Sequence, residues 1–182
     1  MKINNKSGLL ADATQTPSSN FDDRPDSTSI SLIVVHNISL PPGEFGGPYI
    51  SQLFTNRLSK HEHPYFADIY QMRVSSHLLI RRDGEIIQYV PFHKRAWHAG
   101  ASTYNGTENC NDFSIGIELE GTDEIPYQAI QYEILAKIIL QLRQNYPGIN
   151  KNAITGHSNI APGRKTDPGP AFNWDHLHKL IS

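Results

Sequence analysis

Cysteine is almost missing from this chain. The single Cys110 among 182 residues has no partner for a disulfide within the chain. The fold must therefore stand without covalent cross-links, as is usual in a reducing compartment. Long apolar runs are missing too. The first thirty residues offer none longer than Leu9-Leu10-Ala11, whereas a secretory signal needs roughly 7–15 apolar residues and a membrane span about 20. The expectation is a cytoplasmic protein with no membrane partner. There is also no excess of one charge: Lys and Arg total 16 against 18 Asp and Glu, a net charge of −2. That balance argues against a nucleic-acid partner, which demands a basic stripe to displace counterions. What the chain has in quantity is histidine, nine residues in all, and histidine is the commonest metal ligand and a frequent acid or base. The length and 38% hydrophobic content predict one domain with one sizeable core.

Residues 1–28 are polar and rich in Ser, Thr, Asp and Pro, and are expected to be an irregular N-terminal segment wrapped on the domain of residues 29–182. The run Ser31-Leu32-Ile33-Val34-Val35-His36-Asn37 has no polar alternation, the pattern of a central strand buried on both faces. Pro41 to Pro48 can only be a loop, and Ile50, Leu53, Phe54 and Leu58 recur at helical spacing. Residues 59–75 read as a long surface excursion. Asp83-Gly84 between the β-rich runs 76–81 and 85–90 predicts a hairpin. Residues 94–112 read as a long functional loop. In Phe113–Gly121, alternation puts Ile115, Ile117 and Leu119 on one face and Gly116, Glu118 and Glu120 on the other. From Pro126 to about Asn145, Ile130, Ile134, Ile138 and Leu142, with Leu135 and Ile139 beside them, form the stripe of a long helix. A brief strand is expected at 154–157, a Pro- and Gly-rich loop at 158–170, and a closing helix carrying Trp174, Leu177 and Ile181.

His36 ends one expected strand, His157 ends another, and Asp167 follows ten residues later. Two neutral imidazoles and a carboxylate would leave a bound zinc ion one open position, the arrangement that brings the pKa of a bound water to about 7. The spacing matches no short zinc motif such as His-Glu-x-x-His, and the same three residues could equally be hydrogen-bonded loop histidines and a capping aspartate.

Several stretches match known proteins: Val34-Val35-His36-Asn37 with Pro41–Pro48, Arg81-Arg82-Asp83-Gly84-Glu85, Arg95-Ala96-Trp97-His98-Ala99-Gly100, Asn111–Gly121, and Thr155-Gly156-His157 through Asp167-Pro168-Gly169-Pro170. Together, over nearly the whole chain, they resemble the cytoplasmic 1,6-anhydro-N-acetylmuramyl-L-alanine amidases. These are type-2 amidases, a family that also includes phage T7-type lysozymes and peptidoglycan recognition proteins. The resemblance implies an α/β fold, a single domain whose central mixed β-sheet is flanked by helices and carries long functional loops. It also implies one zinc ion per chain on His36, His157 and Asp167, an acid–base role for Glu118, and a cationic role for Lys165. Strand geometry does not separate Glu118 from Glu120; only the resemblance assigns the base to Glu118 and leaves Glu120 structural. An extended segment would aim Lys165 and Asp167 the same way.

Further roles follow from the same likeness. Trp97 and His98 would either contact sugar or peptide or anchor their loop on the core, Arg73 would grip a stem-peptide carboxylate, and Asn37 would hydrogen-bond the peptide backbone. Asn109 departs from the pattern, standing where these relatives carry an arginine before the cysteine. The implied activity is hydrolysis of the amide between the lactyl group of a 1,6-anhydromuramyl sugar and the L-alanine of its stem peptide, during peptidoglycan recycling. The expected partner is a small soluble muropeptide, with a monomer as the default state. An amidase of polymeric peptidoglycan and a non-catalytic peptidoglycan-binding module are the alternatives. Three intact ligand positions speak against the latter.

Overall fold

The computed structural model describes every residue but Ser27, which falls inside the expected N-terminal segment and lies outside the described residues. Six strands form one mixed sheet in the spatial order Ile154–Gly156, Leu32–Ile38, Ser114–Glu120, Leu78–Ile80, Ile86–Gln88, Thr14–Gln15. The first four run parallel, Leu78–Ile80 and Ile86–Gln88 pair antiparallel through the Asp83-Gly84 turn, and Thr14–Gln15 adds a parallel edge. The two central strands, Leu32–Ile38 and Ser114–Glu120, are buried along nearly all their length, the first apolar up to His36 and the second alternating apolar residues with Ser114, Gly116, Glu118 and Glu120.

Ile33, Val35, Ile115, Ile117 and Leu119 point to one side, into a core completed by the helices Ala129–Asn145 and Trp174–Ile181. On the opposite side Leu79 and Ile87 meet Ile50, Leu53, Phe54 and Phe66 from the short helices Tyr49–Phe54 and Phe66–Ile69. This second layer covers only part of its face, and the gap it leaves exposes the ends of the central strands. The α/β fold with a central mixed sheet flanked by helices is therefore as expected. No helix among the described residues is long and apolar enough to cross a membrane.

Several local readings change. The long helix buries Ile134, Leu135, Ile138, Ile139 and Leu142, but Ile130, expected in the same stripe, is 38% exposed in its first turn. That helix begins at Ala129, where Gln128 and Gln131 cap each other's backbone in a reciprocal box. The helix after Pro48 stops at Phe54 because Asn56 takes a left-handed φ of 59°. Leu58 is buried beyond the helix. The excursion 59–75 contains the helix Phe66–Ile69 and buries Phe66 completely. Inside the long loop, Asn105 and Gly106 both adopt positive φ and close a two-residue hairpin between Thr103–Tyr104 and Thr107–Glu108. The N-terminal segment forms the strand pair Ile3–Asn4 with Leu9–Leu10, supplies the sheet's edge strand, and pairs Phe21–Asp22 with Arg95–Ala96.

Candidate active site

The parallel register sets His36 beside Glu118 on the partly covered side of the sheet. Strand Ile154–Gly156 pairs with Ile33–Val35, so His157, the next residue, emerges beside His36 at the carboxyl end of its own strand. This is the crevice in which open α/β sheets usually bind ligands. The loop after the short helix His157–Ile160 returns Asp167 to the same point, held there by Ser158 N–H donating to Asp167 O at 2.9 Å. His36 Nδ1, His157 Nδ1 and Asp167 Oδ2 lie 3.0–3.1 Å from one another.

Two imidazole nitrogens and a carboxylate oxygen converging in this way form a group that could hold a metal ion. Ligands about 2.0–2.1 Å from a tetrahedral centre are about 3.3 Å apart, so the spacing fits a small divalent cation. The electrostatics fit as well. Burial drives the His36 imidazole down to a pKa of about 4, leaving it neutral as a ligand must be. Burial works against the Asp167 carboxylate, but its contacts with His157 and His36 hold it well below the usual range, so it is charged.

Glu118 is 8% exposed, and its Oε2 has no hydrogen-bond partner among the described residues. Burial, reinforced by the charge of Asp167, pushes its carboxyl well above the ordinary value, while Lys165 pulls the other way. Glu120 on the same face is fully engaged. It ion-pairs with Arg81 at 3.1 Å and accepts from the backbone N–H groups of Gly46 and Arg82, which ties the loop 41–48 to the sheet. Lys165 is exposed at the mouth of a cleft of about 330 Å³ that reaches Glu118 and all three converging residues. The segment preceding Asp167 turns rather than extends, with Lys165 N–H donating to Ala161 O.

The remaining candidates fall in different places. Trp97 lines the cleft while its Nε1–H donates to Asp22. Asn37 also lines it, but its amide donates inward to Asp123 Oδ1 and Pro168 O, bracing the residue after Asp167. Arg73 lies between lining residues Met72 and Val74 without lining the cleft itself, and its guanidinium donates to Asn56 Oδ1. His98 lines the cleft as well and is half-buried, with both ring nitrogens engaged: Nδ1 lies 2.9 Å from His36 Nε2 and Nε2 3.1 Å from Ser114 Oγ. Asn109 holds a left-handed φ of 59°, a conformation that asparagine adopts more readily than arginine.

Sequence reasoning passed over the groups that surround this centre. Asn111 Oδ1 accepts the backbone N–H of both His98 and Ala99, and Arg164 donates to Ala99 O. One signal was readable. Gly116 interrupts a strand, as glycine does where something must approach the backbone closely, and a Cβ there would overlap the His98 ring.

The comparisons with known proteins agree with this geometry. The family model described as N-acetylmuramoyl-L-alanine amidase matches residues 26–170. The 1,6-anhydro-N-acetylmuramyl-L-alanine amidase AmpD of Citrobacter freundii is 61% identical over 96% of this chain and 93% of its own length. Its counterpart in Haemophilus influenzae is 53% identical over 92% of this chain and 91% of its own length. The crystal structure of a selenomethionine AmpD derivative superposes with a TM-score of 0.96 at 59% identity, covering all of both chains. With a family model over most of its length and relatives of this identity from end to end, the chain belongs to the N-acetylmuramoyl-L-alanine amidase family.

Proposed function

We propose that this amidase hydrolyses the amide between the lactyl group of 1,6-anhydro-N-acetylmuramic acid and the L-alanine of the stem peptide, with zinc held by His36, His157 and Asp167. The observation that carries the reading is the convergence of those three ligand atoms beside a buried carboxylate whose Oε2 has no hydrogen-bond partner among the described residues. The names of the AmpD relatives support the substrate. So does the solved complex of Escherichia coli AmiD with anhydro-N-acetylmuramic acid-L-Ala-D-γ-Glu-L-Lys, which matches 86% of this chain and 60% of that one at 28% identity and a TM-score of 0.61. In this reading the reaction is a cytoplasmic one, part of the recycling of the cell wall.

When bound, zinc supplies Lewis acidity, polarising the carbonyl and lowering the pKa of water toward about 7. The chain's own groups handle the protons and the charge. Glu118 takes the proton of the attacking water and hands it to the departing alanine nitrogen. Its burial raises its proton affinity, which suits a group that must first accept and then donate. Lys165, at the mouth of the same cleft, sets an ammonium where negative charge develops on the carbonyl oxygen. Trp97 offers a flat apolar surface to sugar or peptide.

Mass spectrometry of anhydromuramyl tripeptide incubated with the protein tests the reading. Free tripeptide should appear, vanish on chelation and return with zinc. Intact muropeptide in the presence of bound zinc would overturn it, and release from polymeric peptidoglycan would replace it with the wall-degrading activity.

A further inference from the structure

Both histidines of the site turn Nδ1 toward Asp167, so each must present its other nitrogen to the protein interior. The two inward nitrogens meet consecutive residues. His36 Nε2 lies 2.9 Å from His98 Nδ1, and His157 Nε2 lies 3.0 Å from Ala99 O. An imidazole that ligates through Nδ1 carries its hydrogen on Nε2, and an acceptor for that hydrogen fixes both the tautomer and the ring plane. A backbone carbonyl is a common acceptor, but a neutral imidazole is not. His98 can accept at Nδ1 only if its own hydrogen sits on Nε2, and there Ser114 Oγ waits at 3.1 Å.

The pair is also held from behind. Asn111 Oδ1 receives the N–H of His98 at 3.1 Å and of Ala99 at 2.8 Å. Gly116 leaves the room in which the His98 ring lies.

We propose that the His98-Ala99 dipeptide, braced by Asn111, is the element that orients both metal-ligating histidines, and that His98, whose ring edge also lines the cleft, is a positioning residue for His36. The inference rests on the reading of His36, His157 and Asp167 as metal ligands, and it concerns what prepares them. Ser114, His98 and His36 then form one ordered chain of donors, with each hydrogen pointing away from the metal.

The test compares His98→Asn with His98→Leu in the full-length protein. The two side chains share the same branched shape and number of heavy atoms, but only asparagine places an acceptor oxygen where Nδ1 stands. Zinc affinity is measured on the metal-free protein by competition with a chromophoric chelator, and the protonated nitrogen of His36 is identified by long-range ¹H–¹⁵N correlation. The leucine variant should bind zinc about 10–100-fold more weakly and lose the single Nε2–H form of His36, while the asparagine variant should stay within about threefold of the native value. Asn111→Ala should weaken binding in the same direction, with Asn111→Asp restoring it. Equal affinity in the leucine and asparagine variants, whether native or weakened, would overturn the assignment of His98. Asn111→Ala keeps the test decisive if the leucine variant does not fold. Failure of the native chain itself to bind zinc would instead overturn the metal reading, and this inference with it.

Discussion

Glu118 and Glu120 lie two residues apart on one face of the same strand, yet their surroundings predict opposite consequences for their loss. Glu118→Gln keeps the shape of a side chain that is nearly buried and strands no donor at Oε2, which has no partner among the described residues. Burial makes the charged form costly there, so a neutral amide should leave thermal stability unchanged or slightly higher. The amide cannot shuttle a proton, and the corresponding loss in kcat is about 10²–10⁴-fold, or about 3–5 kcal/mol at the transition state. Zinc content should be unaffected. Glu120→Ala does the reverse. It takes from Arg81 the more deeply buried of its two carboxylate partners, leaving Glu85 and the carbonyl of Gly47, and removes the acceptor for two backbone N–H groups. Losing that hydrogen-bonded charge pair and leaving two backbone N–H groups without their acceptor costs about 2–4 kcal/mol, or roughly 10 °C in Tm for a chain of this length. The kcat of the protein that remains folded should stay within about tenfold of native. Chromatographic release of tripeptide from anhydromuramyl tripeptide, alongside calorimetry and metal analysis of each variant, separates the two effects. A Glu118→Gln protein retaining more than about a tenth of native kcat would remove that residue from proton transfer. A stable but inactive Glu120→Ala protein would show that the roles are exchanged.

Three other substitutions probe different parts of the structure. Asp167→Ala removes the only anionic donor of the group and should lower zinc affinity by at least about 100-fold with a parallel fall in activity; stoichiometric zinc retained through dialysis would contradict that. Arg24, half-buried and lowered by desolvation to a pKa of about 10, donates to the carbonyl oxygens of Phe92, Asn111, Asp112 and Ser114. Its replacement by alanine should cost about 3–5 kcal/mol in urea unfolding, with Lys recovering less than half because an ammonium cannot fork toward four acceptors; a cost below about 1 kcal/mol would refute this reading. Burial, with the nearby charge of Arg24, drives the His77 imidazole down to about 3, while in the unfolded chain it protonates near 6.5. The unfolded state therefore gains a proton that the folded state refuses, so stability falls as pH drops from 6.5 toward 3. His77→Asn, which can still accept the Gly116 N–H that His77 Nδ1 receives, should flatten the stability curve between pH 6 and 4 by up to about 1.4 kcal/mol per pH unit. Parallel curves for the two proteins would count against it.

What the sequence makes legible is set by how local the cause is. The β-branched run before His36, the i, i+4 stripe of the long helix and the Asp83-Gly84 turn act through neighbours a few residues away, and each appears close to its expected place. The Asn105-Gly106 pair carried an equally local signal, overlooked because the loop around it is long. Ile130 obeys the helical period and is still exposed, since the period says which residues share a face but not how far along the helix its neighbours extend. The site depends on causes of another range. His36 and His157 meet because two strands far apart in sequence pair in one register, and nothing in either segment encodes that offset. Glu118 and Glu120 become different only through Arg81 and the backbone of Gly46, supplied by other segments. His98 is the sharpest case. A histidine beside a tryptophan in a loop reads equally as a ligand contact or as a loop anchor, and what lets its ring reach His36 is the absence of a side chain at Gly116, on a strand eighteen residues later. Glycine in a strand interior weakens the strand unless something occupies the space it leaves. The pairing of an unexplained strand glycine with an unexplained loop histidine was thus the one long-range contact at this centre that the residues themselves could have suggested.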